Sequence, residues 1–322
     1  MKKYIIGILS LIALFYATSC VKEDIPSAGL EDEVTVTFST NLSTDTKSKA
    51  VGNDANHINQ LEIAVYKVSS DGTNTTNEYL PDLYKKVESY KSGDVIELRL
   101  AKGVKYRVAF WAQDANYKAY SFNGETATVT IDNNQVNAND RSGDAFFFAT
   151  VPFEAQNAFN ENISLERPFA QVNFLISASN LETVIDNIGT TTSGITVKNT
   201  ATQLNILDGT VSGNEQTEFK MKELLRNNST GTLESLEINS TLYYYIATAY
   251  VLPSDTDIDG NADEAIQTNI SMNIQGWNPI TAEDVTVQRN RRTNIYGNLL
   301  TSSKSYGADL HYNFSDMHII QP

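Results

Sequence analysis

Val34-Thr35-Val36-Thr37-Phe38-Ser39 alternates an apolar side chain with a hydroxyl at every second position. Successive side chains of a strand point to opposite faces, so this stretch offers one face to a core and one to water. Working outward, Leu61, Ile63 and Val65 repeat the period, as do Ile96, Leu98 and Leu100 and then Ala127, Val129 and Ile131. Lys102-Gly103 marks a turn before 106–112, a denser apolar run that suits a central strand. The polar run 132–144 predicts a loop. A second cycle begins near Ile163: 165–177 is strand-like, 242–252 is a long Tyr-rich strand, and Ile270, Met272 and Ile274 alternate before Val285, Val287 and the segment 295–300. Leu181, Val184, Ile185 and Ile188 instead follow helical spacing, with Asn180 as N-cap and Gly189 as stop. A second short helix is expected at 218–226. Many short strands separated by turn signals indicate a mainly β chain of two tandem β-sandwich domains, with one or two short helices.

Composition agrees with two domains. The 322 residues carry 24 Lys and Arg against 39 Asp and Glu, a net charge of −15. Such acidity argues against nucleic acid and anionic membrane surfaces as partners, because both demand basic patches. One Cys and three His (His57, His311 and His318) leave no material for a zinc site, a Cys/His nucleophile pair or a disulfide framework. There is no Gly-rich phosphate loop, and Ser121 and Ser271 lack a nucleophile-elbow context. No enzyme activity and no organic cofactor are expected.

The N-terminus reads as a targeting segment over 1–19. Lys2 and Lys3 precede the apolar stretch 4–16, which is short of the roughly 20 residues that span a bilayer. Ala17-Thr18-Ser19 then lead to the sole cysteine, Cys20, and the arrangement resembles a bacterial lipoprotein signal. That resemblance implies cleavage before Cys20 and acylation of it, with outer-membrane anchoring by two or more chains. The alternative is an ordinary secretory signal with an incidental Cys. Val21-Lys22-Glu23-Asp24 resembles the acidic tag that sends Bacteroidetes-type lipoproteins to the cell surface; otherwise it is a solvated linker.

Three segments resemble the fimbrillin family of Bacteroidales-type pilin lipoproteins. They are Leu165-Glu166-Arg167-Pro168-Phe169-Ala170-Gln171-Val172-Asn173-Phe174, the stretch 288–301 containing Arg291-Arg292-Thr293-Asn294-Ile295-Tyr296-Gly297, and Ala50-Val51-Gly52 followed by 58–66. The resemblance implies two transthyretin-like Greek-key β-sandwiches, at 50–162 and 163–322, behind a lipidated linker and removable strand at 20–49. It also implies surface export, adhesion, and partnership with other fimbrial subunits. In that family an exported protease removes a short N-terminal strand. Here 34–42 has the alternation for that strand, expected at a sheet edge, and 43–49 is a polar linker. Loss of the strand would leave unpaired backbone groups above an apolar groove, which a strand from another subunit could fill.

The candidate donor is the tail, where Ala308, Leu310, Tyr312 and Phe314 alternate with polar residues. The alternative is that the tail is the last strand of its own sandwich. Well-known relatives are cut after Arg, whereas this linker offers Lys47 and Lys49 as candidate processing sites. A subunit left uncut would act as an anchor.

Asp255, Asp257 and Asp259, followed by Gly260, match the first half of a Ca²⁺ loop, and Asp263 could complete the shell. Position 12 is Ile266 where a bidentate Glu belongs, and the flanks read as strands, so an acidic hairpin tip competes with a structural Ca²⁺ site. Phe110-Trp111, 146–148 and 243–245 are expected in the core, while Tyr117 and Tyr120 are the expected exposed rings. The competing functional class is a monomeric surface lipoprotein that binds glycan or a host ligand.

Overall fold

The computed structural model describes residues 33–43, 55–188, 192–224, 226, 230–254 and 266–297, with the backbone alone of 311–316. The first half builds β1 (Glu33–Leu42), β2 (Gln60–Ser70), β3 (Thr75–Tyr79), β4 (Lys85–Glu88), β5 (Val95–Ala101) and β6 (Lys105–Gln113). It continues with β7 (Tyr120–Asn123), β8 (Thr128–Ile131), β9 (Asn137–Ala138), β10 (Phe146–Ala149), β11 (Phe153–Glu154) and β12 (Phe159–Leu165). The second half has β13 (Ala170–Ser177), α1 (Ala178–Val184), β14 (Gly194–Thr200), β15 (Gln203–Asn205), β16 (Val211–Ser212) and β17 (Glu215–Met221). The last strands are β18 (Ser235–Ile238), β19 (Thr241–Val251), β20 (Ile266–Asn273), β21 (Ile280–Val287), β22 (Arg291–Gly297) and β23 (His311–Asp316). The chain is mainly β and rich in sandwich packing, as the periodicity indicates.

One sheet acts as a wall between two cores. Its strand order is β10-β6-β2-β3, with β4 also paired to β2 and β11 to β6. From β2, Leu61, Ile63 and Val65 enter the first core, whereas Ala64 and Tyr66 enter the second. From β6, Val108, Phe110 and Ala112 face the first core, and Ala109 and Trp111 the second. Apolar groups on both faces explain why 106–112 reads as a dense run; β2, whose Leu61, Ile63 and Val65 read as a half-buried strand, is buried on its other face too, through Ala64 and Tyr66. The first core is closed by the three-stranded sheet β12-β1-β5, which contributes Val36, Phe38, Ile96, Leu98, Ile163 and Leu165. In the second core, β18-β19-β13-β22-β23 and β21-β20-β14-β17-β9 contribute residues such as Phe174, Ile295, Val197 and Met272. A fifth sheet, β16-β15-β8-β7, adds Leu204 and Val129 to that core.

Several local expectations differ from the fold. The segment 218–226 is not a helix: its first residues belong to β17, where Thr217, Phe219 and Met221 are buried and Glu218 and Lys220 are exposed. That is period two, and burial of alternate residues between β14 and β9 overrides a modest helical propensity. The helix at 178–184 buries Leu181 and Val184 as expected, but it starts earlier, with Ser177 in extended conformation at the N-cap. β13 runs directly into this helix, so Asn180 lies inside it, buried, instead of capping it. Pro168, which has no amide hydrogen to give a ladder, falls in the break between β12 and β13.

The run 132–144 contains β9 and a 3-10 turn at Arg141–Gly143 in addition to loop. Its polar residues substitute for strand neighbours. Asn139, at φ 61°, accepts from Thr248 N through Oδ1 at 2.9 Å and donates through Nδ2 to Ile246 O at 3.0 Å.

Candidate functional site: the seat of β1

β1 is an internal strand, not the edge strand expected of the removable strand that the resemblance implies. It runs parallel to β12 and antiparallel to β5, with seven register pairs on each side. Among the described residues neither neighbour pairs with another strand, and there β1 joins them into a sheet. The alternation places Val36, Phe38, Thr40 and Leu42 inward, and Thr35 and Asn41 outward.

Phe38 is the anchor. It is fully buried, with ring centroids 5.3 Å from Phe110, 6.2 Å from Phe153 and 6.4 Å from Phe159, all in edge-to-face geometry. Such pairs add to the ordinary burial of an aromatic side chain. Burial of Val36, Phe38 and Leu42 stabilises the seated strand by about 1.5–3 kcal/mol per side chain.

The two halves of the strand are held differently. Glu33 to Ser39 pairs with β5 and Val36 to Leu42 with β12 through the sheet registers, and the C-terminal end also meets side chains. Thr40 N and Oγ1 donate to Asp94 O at 3.0 and 2.9 Å, and Gly93 N donates to Thr40 O at 2.7 Å. Gly93, at φ 98°, turns the chain where a side chain would be strained. Ser92 Oγ accepts from Leu42 N at 3.0 Å. A cavity of about 560 Å³ opens beside this end, lined by Leu42, Ala55, Ile58, Tyr90, Lys91 and Ser92 among others.

On the opposite side, Ser43 N donates to Leu165 O at 2.8 Å. The next residue, Glu166, is bridged to Phe147 of β10 by two 2.9 Å bonds, Phe147 N to Glu166 O and Glu166 N to Phe147 O. Arg167 follows, fully buried. Its Nε donates to both Asp144 oxygens at 3.0 and 2.8 Å, its guanidinium lies 4.5 Å from the Phe146 ring centre, and Nη1 reaches Ser43 O at 3.4 Å. Leu165 belongs to the first core and Phe169 to the second, so this five-residue passage joins both cores to the exit of β1. In the sequence Arg167 stands out only as part of the 165–174 segment, and Asp144 only as the end of the polar run 132–144. The available signal was a lone Arg between Leu165 and Phe169, facing an acid placed just before the apolar run at 145–148.

The same motif meets the other quoted segment directly. β13 and β22 run parallel, with Gln171 opposite Arg292 and Asn173 opposite Asn294. Asn173 Nδ2 donates to Asn294 Oδ1 at 2.8 Å, and Arg292 Nε to Gln171 Oε1 at 3.2 Å, all four side chains buried. Burial holds the Arg292 guanidinium below its ordinary pKa.

The remaining expected site residues divide as follows. Cys20, Lys47, Lys49, Asp255, Asp257, Asp259, Asp263 and Leu310 lie outside the described residues. Tyr312 and Phe314 fall in β23, opposite Ile295 and Thr293 of β22, so this part of the tail pairs at the edge of its own sheet. Among the described residues no three His, Cys, Asp or Glu are grouped to hold a metal. His57 is partly buried. Of the rings expected in the core, Phe110, Trp111, Phe146 and Tyr245 are buried, whereas Phe147, Phe148, Tyr243 and Tyr244 are half-buried. Tyr117 and Tyr120 are also buried, against expectation: their rings lie 4.7 Å apart, Tyr120 stacks on Phe169 at 4.9 Å, and its hydroxyl donates to Gly143 O at 2.6 Å. A polar loop sequence around them disguised a side-chain cluster that seals the second core.

These features define a class: a two-core β-sandwich protein in which one N-terminal strand completes the first core. The chain belongs to a family of unknown function (DUF6562), whose model matches residues 27–320. No curated protein matches it. Among solved structures it resembles a candidate polysaccharide-binding protein (DUF1812) from Bacteroides thetaiotaomicron VPI-5482, with TM-score 0.50 and 11% identity, over 90% of this chain and 98% of that one. It also resembles the fimbrial anchor protein Mfa2 from Porphyromonas gingivalis, with TM-score 0.49 and 9% identity, over 89% and 99% of the two chains. A third is a candidate adhesin from Bacteroides thetaiotaomicron VPI-5482, with TM-score 0.48 and 9% identity, over 89% and 98%.

Proposed function

We propose that this chain is a surface-exposed lipoprotein of the outer membrane that serves as a fimbrial subunit in adhesion, with no catalytic role. The observation that carries the proposal is the seat of β1. A single strand supplies the middle of a sheet, and β1 connects to β2 through 43–59, within which the candidate processing residues Lys47 and Lys49 lie. Once the strand is cut free, its departure exposes backbone edges on both β5 and β12 over an apolar floor, a site built for strand addition. The resemblance of three sequence segments to fimbrillins supports the same reading. The alternating tail from Ala308 through Leu310, Tyr312 and Phe314 is the proposed donor for a neighbouring subunit, and Cys20 is the proposed lipid attachment. The Asp255-to-Asp263 loop, if it takes Ca²⁺, does so to stiffen a hairpin.

One observation favours a second reading. His311–Asp316 pairs with β22, so a tail that stays there donates nothing. The protein would then be a monomeric surface lipoprotein that binds glycan or a host ligand, or a terminal subunit that accepts a strand.

The test treats the unlipidated chain from Val21 onward with a trypsin-like protease, then records masses and images the product by electron microscopy. Cleavage after Lys47 or Lys49 followed by filaments, lost on deletion of the chain from Ala308, supports the polymerising subunit. A clean cut that leaves monomers supports the second reading.

A further inference from the structure

We infer that Arg167 is a positioning residue that latches the exit of β1 to the junction between the two cores, and so sets how firmly the strand is held. The inference rests on the geometry of the junction and holds whether or not subunits exchange strands. Three contacts converge on one planar group: the Asp144 carboxylate, the face of Phe146 and the carbonyl of Ser43. Arg can serve all three because its fork of donors is rigid and its faces are free to stack. Lys is a point charge on a supple stem and can satisfy the carboxylate alone.

The latch is anchored on its far side. The paired bonds between Glu166 and Phe147 fix the backbone next to Arg167 to β10, and Ser43 N is tied to Leu165 O in the same passage. Ser43 is therefore gripped at its N–H and its carbonyl by residues two apart, just where β1 leaves its sheet. Among the described residues the N-terminal half of β1 shows no comparable side-chain grip, so a strand leaving its seat frays from Glu33, and the Arg167 end lets go last.

A ready comparison is Arg167→Lys, which keeps the positive charge opposite Asp144. Hydrogen exchange on the uncut chain is expected to show the amides of Leu42 and Ser43 opening about tenfold faster or more, the scale of losing charged hydrogen bonds. The amides of Ile63 and Phe110 in the wall should stay as in wild type. A second arm places a site-specific protease sequence within 44–50, cuts, and follows loss of the N-terminal fragment by mass. The fragment should leave the Lys variant faster than it leaves wild type.

Should Arg167→Lys not fold, the paired variant Arg167→Met with Asp144→Leu removes both charges while keeping volume, and the same expectation applies to it. Equal acceleration at Leu42, Ile63 and Phe110 would mean a general structural role and overturn the latch. Unchanged exchange and unchanged fragment loss would overturn it as well. None of these readouts depends on filaments, so failure of the latch and failure of the fimbrial reading are separable.

Discussion

Phe38 concentrates the energetics of the seat in one side chain. It meets Phe110, Phe153 and Phe159 with no exposure, so truncation leaves a cavity in a packed floor. Phe38→Ala is expected to cost about 3–5 kcal/mol, read from the denaturant midpoint. Thr37→Ala, on the half-exposed face of the same strand, should stay within about 0.5 kcal/mol. Buried phenols give the molecule a defined alkaline limit. Burial raises the pKa of Tyr66, Tyr117 and Tyr120 above the ordinary 10.0; the charge of Tyr79 adds to the shift at Tyr66, that of Asp140 at Tyr117, and those of Tyr117 and Asp144 at Tyr120. A folded pKa above the unfolded one means that this stability is complete below pH 10.0 and is lost as pH rises through the folded values. In an absorbance titration these rings should ionise together with loss of near-ultraviolet dichroism. Ionisation near pH 10 in a folded chain would show that they are open to water.

At the scale of elements, the parallel pair β13–β22 depends on buried polar register marks. Asn173 donates to Asn294 across the pair, and a one-residue slip would place an amide opposite an apolar neighbour. Asn173→Leu alone should cost about 1–3 kcal/mol, because Asn294 is left without its partner. Adding Asn294→Leu should recover much of that loss, a coupling that a double-mutant cycle measures directly. These amides were legible as motif residues, but their pairing was not: nothing within one strand says which other strand lies beside it.

β17 makes the converse point. Its buried set Thr217, Phe219 and Met221 has a clear period of two, although a short helix is expected at 218–226. Here tertiary burial decided what local propensity left open. β1 itself was readable as a half-buried strand from Val34, Val36 and Phe38. Its central position was not, since partners on both edges leave no mark in the alternation of faces.

For the whole molecule, the wall built on β2 and β6 is the organising fact. The dense run at 106–112 reads as a strand buried on both faces, whereas the alternation of Leu61, Ile63 and Val65 reads as a half-buried one, and only the fold shows that each face of β2 and β6 serves a different core. Ala64 and Trp111 stand with the second core although both lie in the first half of the sequence. Two cores that share a sheet should melt together, so calorimetry is expected to give one transition whose van't Hoff and calorimetric enthalpies agree. Two separated transitions would mean that the wall holds without one of its cores.

The exit of β1 joins this wall through Leu165, Glu166 and Arg167, so strand and scaffold meet at one junction. The central claim is that the seat of β1 accepts a different strand. The most direct measurement cuts the chain within 44–50, adds a labelled peptide spanning 308–320, and weighs the complex by native mass spectrometry. The account expects the peptide to replace the N-terminal fragment at one copy per chain, and to fail when Tyr312 and Phe314 are changed to Asp. A fragment that never leaves, or a vacated seat that binds neither peptide, would contradict it.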